Sequence, residues 1–375
     1  MPRRLGLIAI IAALLMLAAC QTADPNGNGN GTAPPLGQAD FEAAAESIGA
    51  SGEVVVTDLM SDPVVLAMGS LPPLFSATPA EELVGLAAAI APLETGALPR
   101  GILEFNPDTD TWDEVDSALG LELRWPFLDL DDVERDAVLV IDWGTTATVE
   151  DRNGRSIEVP TDDMSVTLTV DGDTVAAFDA GISWYAGPGC PDGVAEPTSV
   201  RVDGSMGAVA TISLNDVSIT LLDTSLATSG EIVAASGDES IGVAWNVTIN
   251  CSIVRVDCFI DDIEEVDSGS VSVTLFGESA GSRTSVGLNV DFDTIVLDPE
   301  DGELVSVDLD GSIDINGVSA VTFSGTLDDE NENGIPGENL VLVFADGETM
   351  TFEALLEEAF HATTSAVSRL LSLGR

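Results

Sequence analysis

From about Gly101 onward, apolar and polar residues alternate one for one, the period of a strand with one buried face. The clearest stretch is VSVDLDGSIDIN, where Val305, Val307, Leu309, Ile313 and Ile315 share one side. Ser306, Asp308, Asp310, Ser312, Asp314 and Asn316 share the other. Asn316-Gly317 then turns the chain and VSAVTFSGTL runs back. Asn-Gly and Asp-Gly reach the positive-φ conformations of tight hairpins, so each marks a predicted turn. They recur at Asn153-Gly154, Asp171-Gly172, Asp203-Gly204, Asp301-Gly302 and Asp346-Gly347. No long helical pattern interrupts residues 99–350, so parallel crossovers are not expected. The predicted fold is mainly β, a large antiparallel meander. A sheet of roughly a dozen strands or more must curl, split or close, which predicts a curved half-pipe or an open barrel.

Helical patterns flank this region. Residues 38–98 form a predicted helical lead-in, with ADFEAAAESIGA and TPAEELVGLAAAIAPL as helices. Thr78 stands as cap of the second, with Pro79 in its first turn and Glu81 and Glu82 near the positive end of its dipole. Between them VVLAMGSLPPLF leaves its element type open. In residues 351–375, Phe352, Leu355, Leu356, Phe360, Val367, Leu370 and Leu371 form a stripe at helical spacing. This predicts a C-terminal amphipathic helix packed on the concave side of the sheet.

The N-terminus carries an address. Arg3 and Arg4 precede an apolar run from Leu5 to Ala19, too short to span a bilayer as a helix. The run ends Leu17-Ala18-Ala19-Cys20, which resembles the lipobox of bacterial lipoproteins. That resemblance implies removal of residues 1–19, a diacylglycerol on the Cys20 sulfur and acylation of the new amino group. Two lipid signals on one residue give stable membrane anchoring. Gln21 follows the cysteine, with no Asp at that position. The resemblance therefore implies the outer membrane in a two-membrane host, and the outer face of the cell membrane otherwise. Residues 20–37 then read as a lipidated cysteine and a flexible Gly/Asn/Pro tether.

Charge narrows the partners. The 375 residues carry 65 acids and 12 cationic side chains, all arginine, for a formal charge of −53. Such a surface repels nucleic acid and anionic lipid headgroups and favours basic partners or cations. Aromatics make up 5% of the chain with a single tyrosine, Tyr185, which excludes the aromatic girdles of a membrane β-barrel. Three cysteines follow Cys20. In WNVTINCSIVRVDC the strand period puts Cys251 on the apolar face with Trp245, Val247, Ile249 and Ile253. Cys190 lies in the loop GPGCPDG and Cys258 near a strand end, so a Cys190–Cys258 disulfide is expected.

Candidate chemistry is sparse. GESAG at residues 277–281 matches G-x-S-x-G, but strand-like segments lie on both sides, so Ser279 reads as a hairpin serine. The only histidine is His361, and no triad is apparent. In DDENENGIPGENL, Asp329, Asn331 and Asn333 alternate ahead of Gly334, the spacing of a calcium loop. Its twelfth position is Leu340, so Glu338 or Asn339 would complete the shell of a structural calcium ion; the same residues also fit a solvated acidic turn. FNPDTDTWDEVD, with Asp108, Asp110 and Asp113, reads as a hairpin connection, and Trp125, Phe127, Trp184 and Tyr185 as core. The expectation is a lipid-anchored, acidic, non-enzymatic envelope protein with a structural or interaction role. Its alternative is a carrier that holds a lipid or other hydrophobic ligand in the curved sheet. An envelope hydrolase is the remaining, lesser reading.

Overall fold

The computed structural model describes residues 38–71 and 97–354, apart from 110, 162–163, 188–189, 191–192, 195, 298–303, 329–339, 345–346, 348 and 353. Two helices come first, α1 (Gln38–Leu59) and α2 (Pro63–Gly69). The strands follow: β1 (Gly101–Asn106), β2 (Thr111–Asp116), β3 (Leu121–Leu128), β4 (Glu134–Asp142), β5 (Thr146–Glu150) and β6 (Ser156–Pro160). Next are β7 (Met164–Val170), β8 (Asp173–Trp184), β9 (Pro197–Met206), β10 (Thr211–Leu222), β11 (Ser225–Ser236) and β12 (Glu239–Val256). The last are β13 (Phe259–Ser279), β14 (Ser282–Leu297), β15 (Leu304–Ile315), β16 (Val318–Asp328), β17 (Val341–Phe344) and β18 (Thr349–Thr351).

Sixteen strands make one curved, open sheet. From β7 to β18 its order follows the chain, an uninterrupted antiparallel meander. The other side runs β7-β4-β3-β1-β2, because the β5–β6 hairpin leaves the sheet as a separate two-stranded ribbon. The expected large meander is the observed fold. One pairing departs from it: β1 and β3 are parallel. No helical crossover is needed, because β2 returns along the far edge of β1 and residues 117–120 then carry the chain across its end. Gly120 makes that crossing possible, since a Cβ there would strike the Ile141 carbonyl.

Tight turns hold where the sequence placed them at Asp171-Gly172 and Asn316-Gly317, each with both residues at positive φ. Asp203-Gly204 is different. It lies inside β9, opposite Phe178, and the chain turns instead at 207–210. Phe178 lies over the Gly204 backbone where any Cβ would collide. The same cross-strand pairing of glycine with an aromatic recurs as Gly230–Trp245, Gly242–Phe276, Gly269–Phe292 and Gly311–Phe323. A ring folded over a bare backbone fills the gap glycine leaves and lets the strands coil more tightly there.

The apolar face is buried in two separate places. One core joins Leu121, Leu123, Trp125, Leu139 and Leu168 of the N-terminal strands to Val64 and Ala67 of α2. The other joins Ile249, Val271, Leu288, Ile313, Val321 and Leu342 to Ala44 and Ile48 of α1. α1 lies across β11 to β15, at the sheet end where Gly277 lets the Ile48 backbone approach. α2 lies on β7 and β8. Trp125 and Phe127 are core residues, as expected. After β18 the Thr351 hydroxyl accepts the Ala354 amide at 3.1 Å, the bond of a helix cap. The predicted helix at residues 78–92 and the rest of the predicted C-terminal helix lie outside the described residues.

Candidate interaction surface

Between the two cores lies the middle of the sheet. Along β9, β10 and β11 the only hydrophobic side chain at core depth near these strands is Ala210, in the preceding turn. Val200, Ile212, Leu214, Val217, Ile219 and Ile232 continue the apolar stripe but belong to neither core. Five of them are half-buried, and Ile219 is 52% exposed. They form the floor of a trough. Its flanks are the Phe178 ring over Gly204 on one side and the Trp245 ring over Gly230 on the other. The Trp245 indole N–H donates to Thr228 Oγ1 at 3.0 Å, which fixes that flank.

A bulge keeps the floor continuous. The pairing of β10 slips between Asn215 and Ser218 against β11 and between Leu214 and Val217 against β9, with Asp216 at φ +48°. The extra residue moves the apolar positions from even (Ile212, Leu214) to odd (Val217, Ile219, Leu221) without turning them to the other face. That shift of parity is legible in TISLNDVSITLL itself.

Both ends of the trough are pinned. At one end the turn between α1 and α2 meets the β9–β10 loop through Asp62, which is fully buried. Its Oδ2 accepts the amides of Ala208, Val209 and Ala210 at 2.8, 2.7 and 3.1 Å, and its Oδ1 caps α2 by accepting from Val64 at 2.9 Å. Four backbone donors replace the water this carboxylate has lost.

At the other end, Cys190 and Cys258 form the expected disulfide, with Cα atoms 6.2 Å apart. It ties the β8–β9 loop to the β12–β13 turn. Those two connections lie at the same end of the sheet and bracket β9, β10 and β11, so the bridge closes that end of the trough. Arg255 reinforces it. Its side chain is 9% exposed, its Nε donates to Asp223 at 3.0 Å, and its guanidinium lies 3.7 Å over the Tyr185 ring. Arg255 Nη1 and Nη2 are buried without a hydrogen-bond partner, so the ring face is their main compensation. Burial pushes the Glu196 carboxyl above its usual range, and the charges of Arg152 and Arg255 work against that shift. Arg152 binds the Ile260 carbonyl, which brings in the tip of the β5–β6 ribbon.

The opposite face is wet and acidic. Across β14 and β15, Asp291 faces Asp310 and Asp293 faces Asp308, like charges directly opposed on adjacent strands. Such pairs destabilise a sheet at low salt. Among the described residues, no three His, Cys, Asp or Glu side chains converge in a metal-binding arrangement.

The remaining predicted sites fall as follows. Cys251 is free and buried, and burial raises its thiol pKa, which suits a core residue rather than a nucleophile. Ser279 ends β13 at a two-residue turn, with Ala280 and Gly281 at φ +49° and +78°, and its hydroxyl donates to Glu239. A second strand follows it, not the helix a nucleophile elbow requires. Cys20, His361 and the candidate calcium ligands Asp329, Asn331, Asn333 and Glu338 lie outside the described residues. No described helix is long and apolar enough to cross a membrane. Comparison with protein-family models, with curated proteins and with solved structures finds no match.

Proposed function

We propose that this chain is a lipid-anchored, non-enzymatic protein of the cell envelope that works by holding a partner on its sheet. The lipobox-like Leu17-Ala18-Ala19-Cys20 supports the anchor, and the acidic, tether-linked domain would stand off the membrane. One observation carries the interaction role: Val200, Ile212, Leu214, Val217, Ile219 and Ile232 leave an apolar floor part-open between two filled cores. Contiguous apolar surface of this kind marks a binding face. Pinning both ends of the trough would keep that face in shape without a ligand. The carrier reading rests on the same floor, with a hydrocarbon chain in place of a protein.

Native mass spectrometry of the full chain, extracted from an oxidising envelope in mild detergent, separates these readings. A stoichiometric protein complex lost on Ile219→Asp supports the interaction reading. A lipid adduct lost on the same change supports the carrier, and a bare chain overturns both. Cys20→Ser should move the protein from the membrane to the soluble fraction; retention at the membrane would overturn the anchor.

A further inference from the structure

We infer that the occupant of the trough is a basic amphipathic helix of a partner protein. This rests on the reading of the trough as a binding face and deepens it by assigning the partner's chemistry. The dimensions argue for a helix. The Phe178 ring lies over Gly204 of β9 and the Trp245 ring over Gly230 of β11, so two inter-strand spacings, about 10 Å, separate the rings along the sheet. From Ile212 to Ile219 the floor runs about 20 Å. A helix with its side chains is about 10–12 Å across, and about 14 residues of it span 20 Å. One helix therefore covers the floor between the flanking rings, whereas a single hydrocarbon chain is narrower than that gap and would leave part of it wet. The neighbouring stretches of the same apolar face are already covered this way, by α1 on β11 to β15 and α2 on β7 and β8.

Charge gives the sign of the partner. The floor carries no charged side chain. The turns at its ends carry Asp238 and Glu239 on one side, and Asp223 and Glu196 on the other, where Arg255 and Arg152 stand beside them. Of these, Asp223 has its Nε partner in Arg255, yet its side chain is 60% exposed. The whole chain carries −53. A second copy or an acidic helix would be repelled, while a helix with an apolar stripe and flanking Lys or Arg meets both the floor and the rim.

The test uses the full-length chain in neutral detergent and three probes. The first is an 18-residue peptide of Leu and Lys with its Leu stripe at helical spacing. The second has the same stripe with Glu for Lys, and the third is a neutral monoacylglycerol. The expected result is binding of the Lys peptide, at least tenfold tighter than the Glu peptide and weakened several-fold between 0.05 and 0.5 M salt. Val217→Asp and Ile219→Asp each add a negative charge, so simple charge attraction would keep or tighten binding in them. The inference requires both to weaken it at least tenfold, and Ile219→Ser to weaken it less. Undiminished binding in the Asp variants overturns the inference. Saturable monoacylglycerol binding without peptide binding also overturns it while leaving the trough as a site. Binding of none of the three removes the trough reading itself. If peptide binding appears only after truncation following Ala354, the chain's own C-terminal segment is the occupant, and the inference fails.

Discussion

The flanks of the sheet and its middle are built from the same alternation of apolar and polar residues, yet they end at different depths. In β3, every second residue from Leu121 to Phe127 is buried; in β10, none reaches that depth. The difference does not lie in hydrophobicity. Ile212, Leu214, Val217 and Ile219 are as apolar as Leu121 and Leu123. It lies in what stands on them: α2 covers β7 and β8, and α1 covers β11 to β15. A strand pattern therefore says which face is apolar, and only the second layer says whether that face is closed.

The sharpest way to break the comparison is to remove equal volumes from the two regions. Leu139→Ala and Leu342→Ala, each in a closed core, should cost about 3–4 kcal/mol by denaturant unfolding. Ile219→Ala in the trough should cost about 1 kcal/mol, because water already reaches it. Equal losses would mean the middle is as closed as the flanks.

Next in size is the staple. The bridge closes a loop with a sequence separation of 68, so Cys190→Ser with Cys258→Ser should destabilise by about 2–4 kcal/mol. The loss should loosen the ends of β8, β9 and β12 in hydrogen exchange more than β3 or β4. Uniform loosening would show that the bridge does not act locally on the trough. The pairing itself was legible because the strand period assigned Cys251 to the core and left the other two. The turn residues Asn316-Gly317 and Asp171-Gly172 were legible for a related reason, since few residues adopt positive φ.

Asp203-Gly204 misled because the same dipeptide can serve a different need. Gly204 is there to admit the Phe178 ring, a long-range demand that no local window reveals. The parallel β1–β3 pair was illegible for the same kind of reason. A short connection past one strand, cleared by Gly120, leaves no helical crossover to read. The trough was equally out of reach, because half-burial depends on elements distant in sequence. The candidate calcium ligands and the lipidation site rest on the sequence alone.

Glycines under rings give the third prediction. Gly311→Ala would drive a methyl into the Phe323 ring and the Asn289 carbonyl, within about 3 Å, and should cost about 2–3 kcal/mol. Gly287→Ala meets only ordinary neighbours and should cost under about 1 kcal/mol. Thermal unfolding of the pair checks whether ring-covered glycines are structural requirements.

The smallest expected effect lies at the junction of the β5–β6 ribbon. Arg100 binds both oxygens of Glu158, at 2.9 and 2.6 Å, with Thr146 also donating. The Arg100 guanidinium thereby lowers the Glu158 carboxyl from the ordinary 4.5 to about 2. Because the folded value lies below the unfolded one, this contribution is full above pH 4.5 and fades as pH falls toward 2. Glu158→Gln should cost about 1–2 kcal/mol at pH 7 and flatten the acid limb of the stability curve over that window. An unchanged acid limb would remove the ion pair as its cause.

The central claim is that the apolar floor centred on β10 is open in the intact protein, and thiol labelling tests it most directly. In a Cys251→Ser background, single cysteines at Val217 and Ile219 are compared with single cysteines at Leu123 and Val321, using a maleimide on the full-length native chain. The account predicts that positions 217 and 219 react at least about tenfold faster than 123 and 321, which need unfolding to be reached. Equal protection at all four would show that the trough is already filled, and would contradict it.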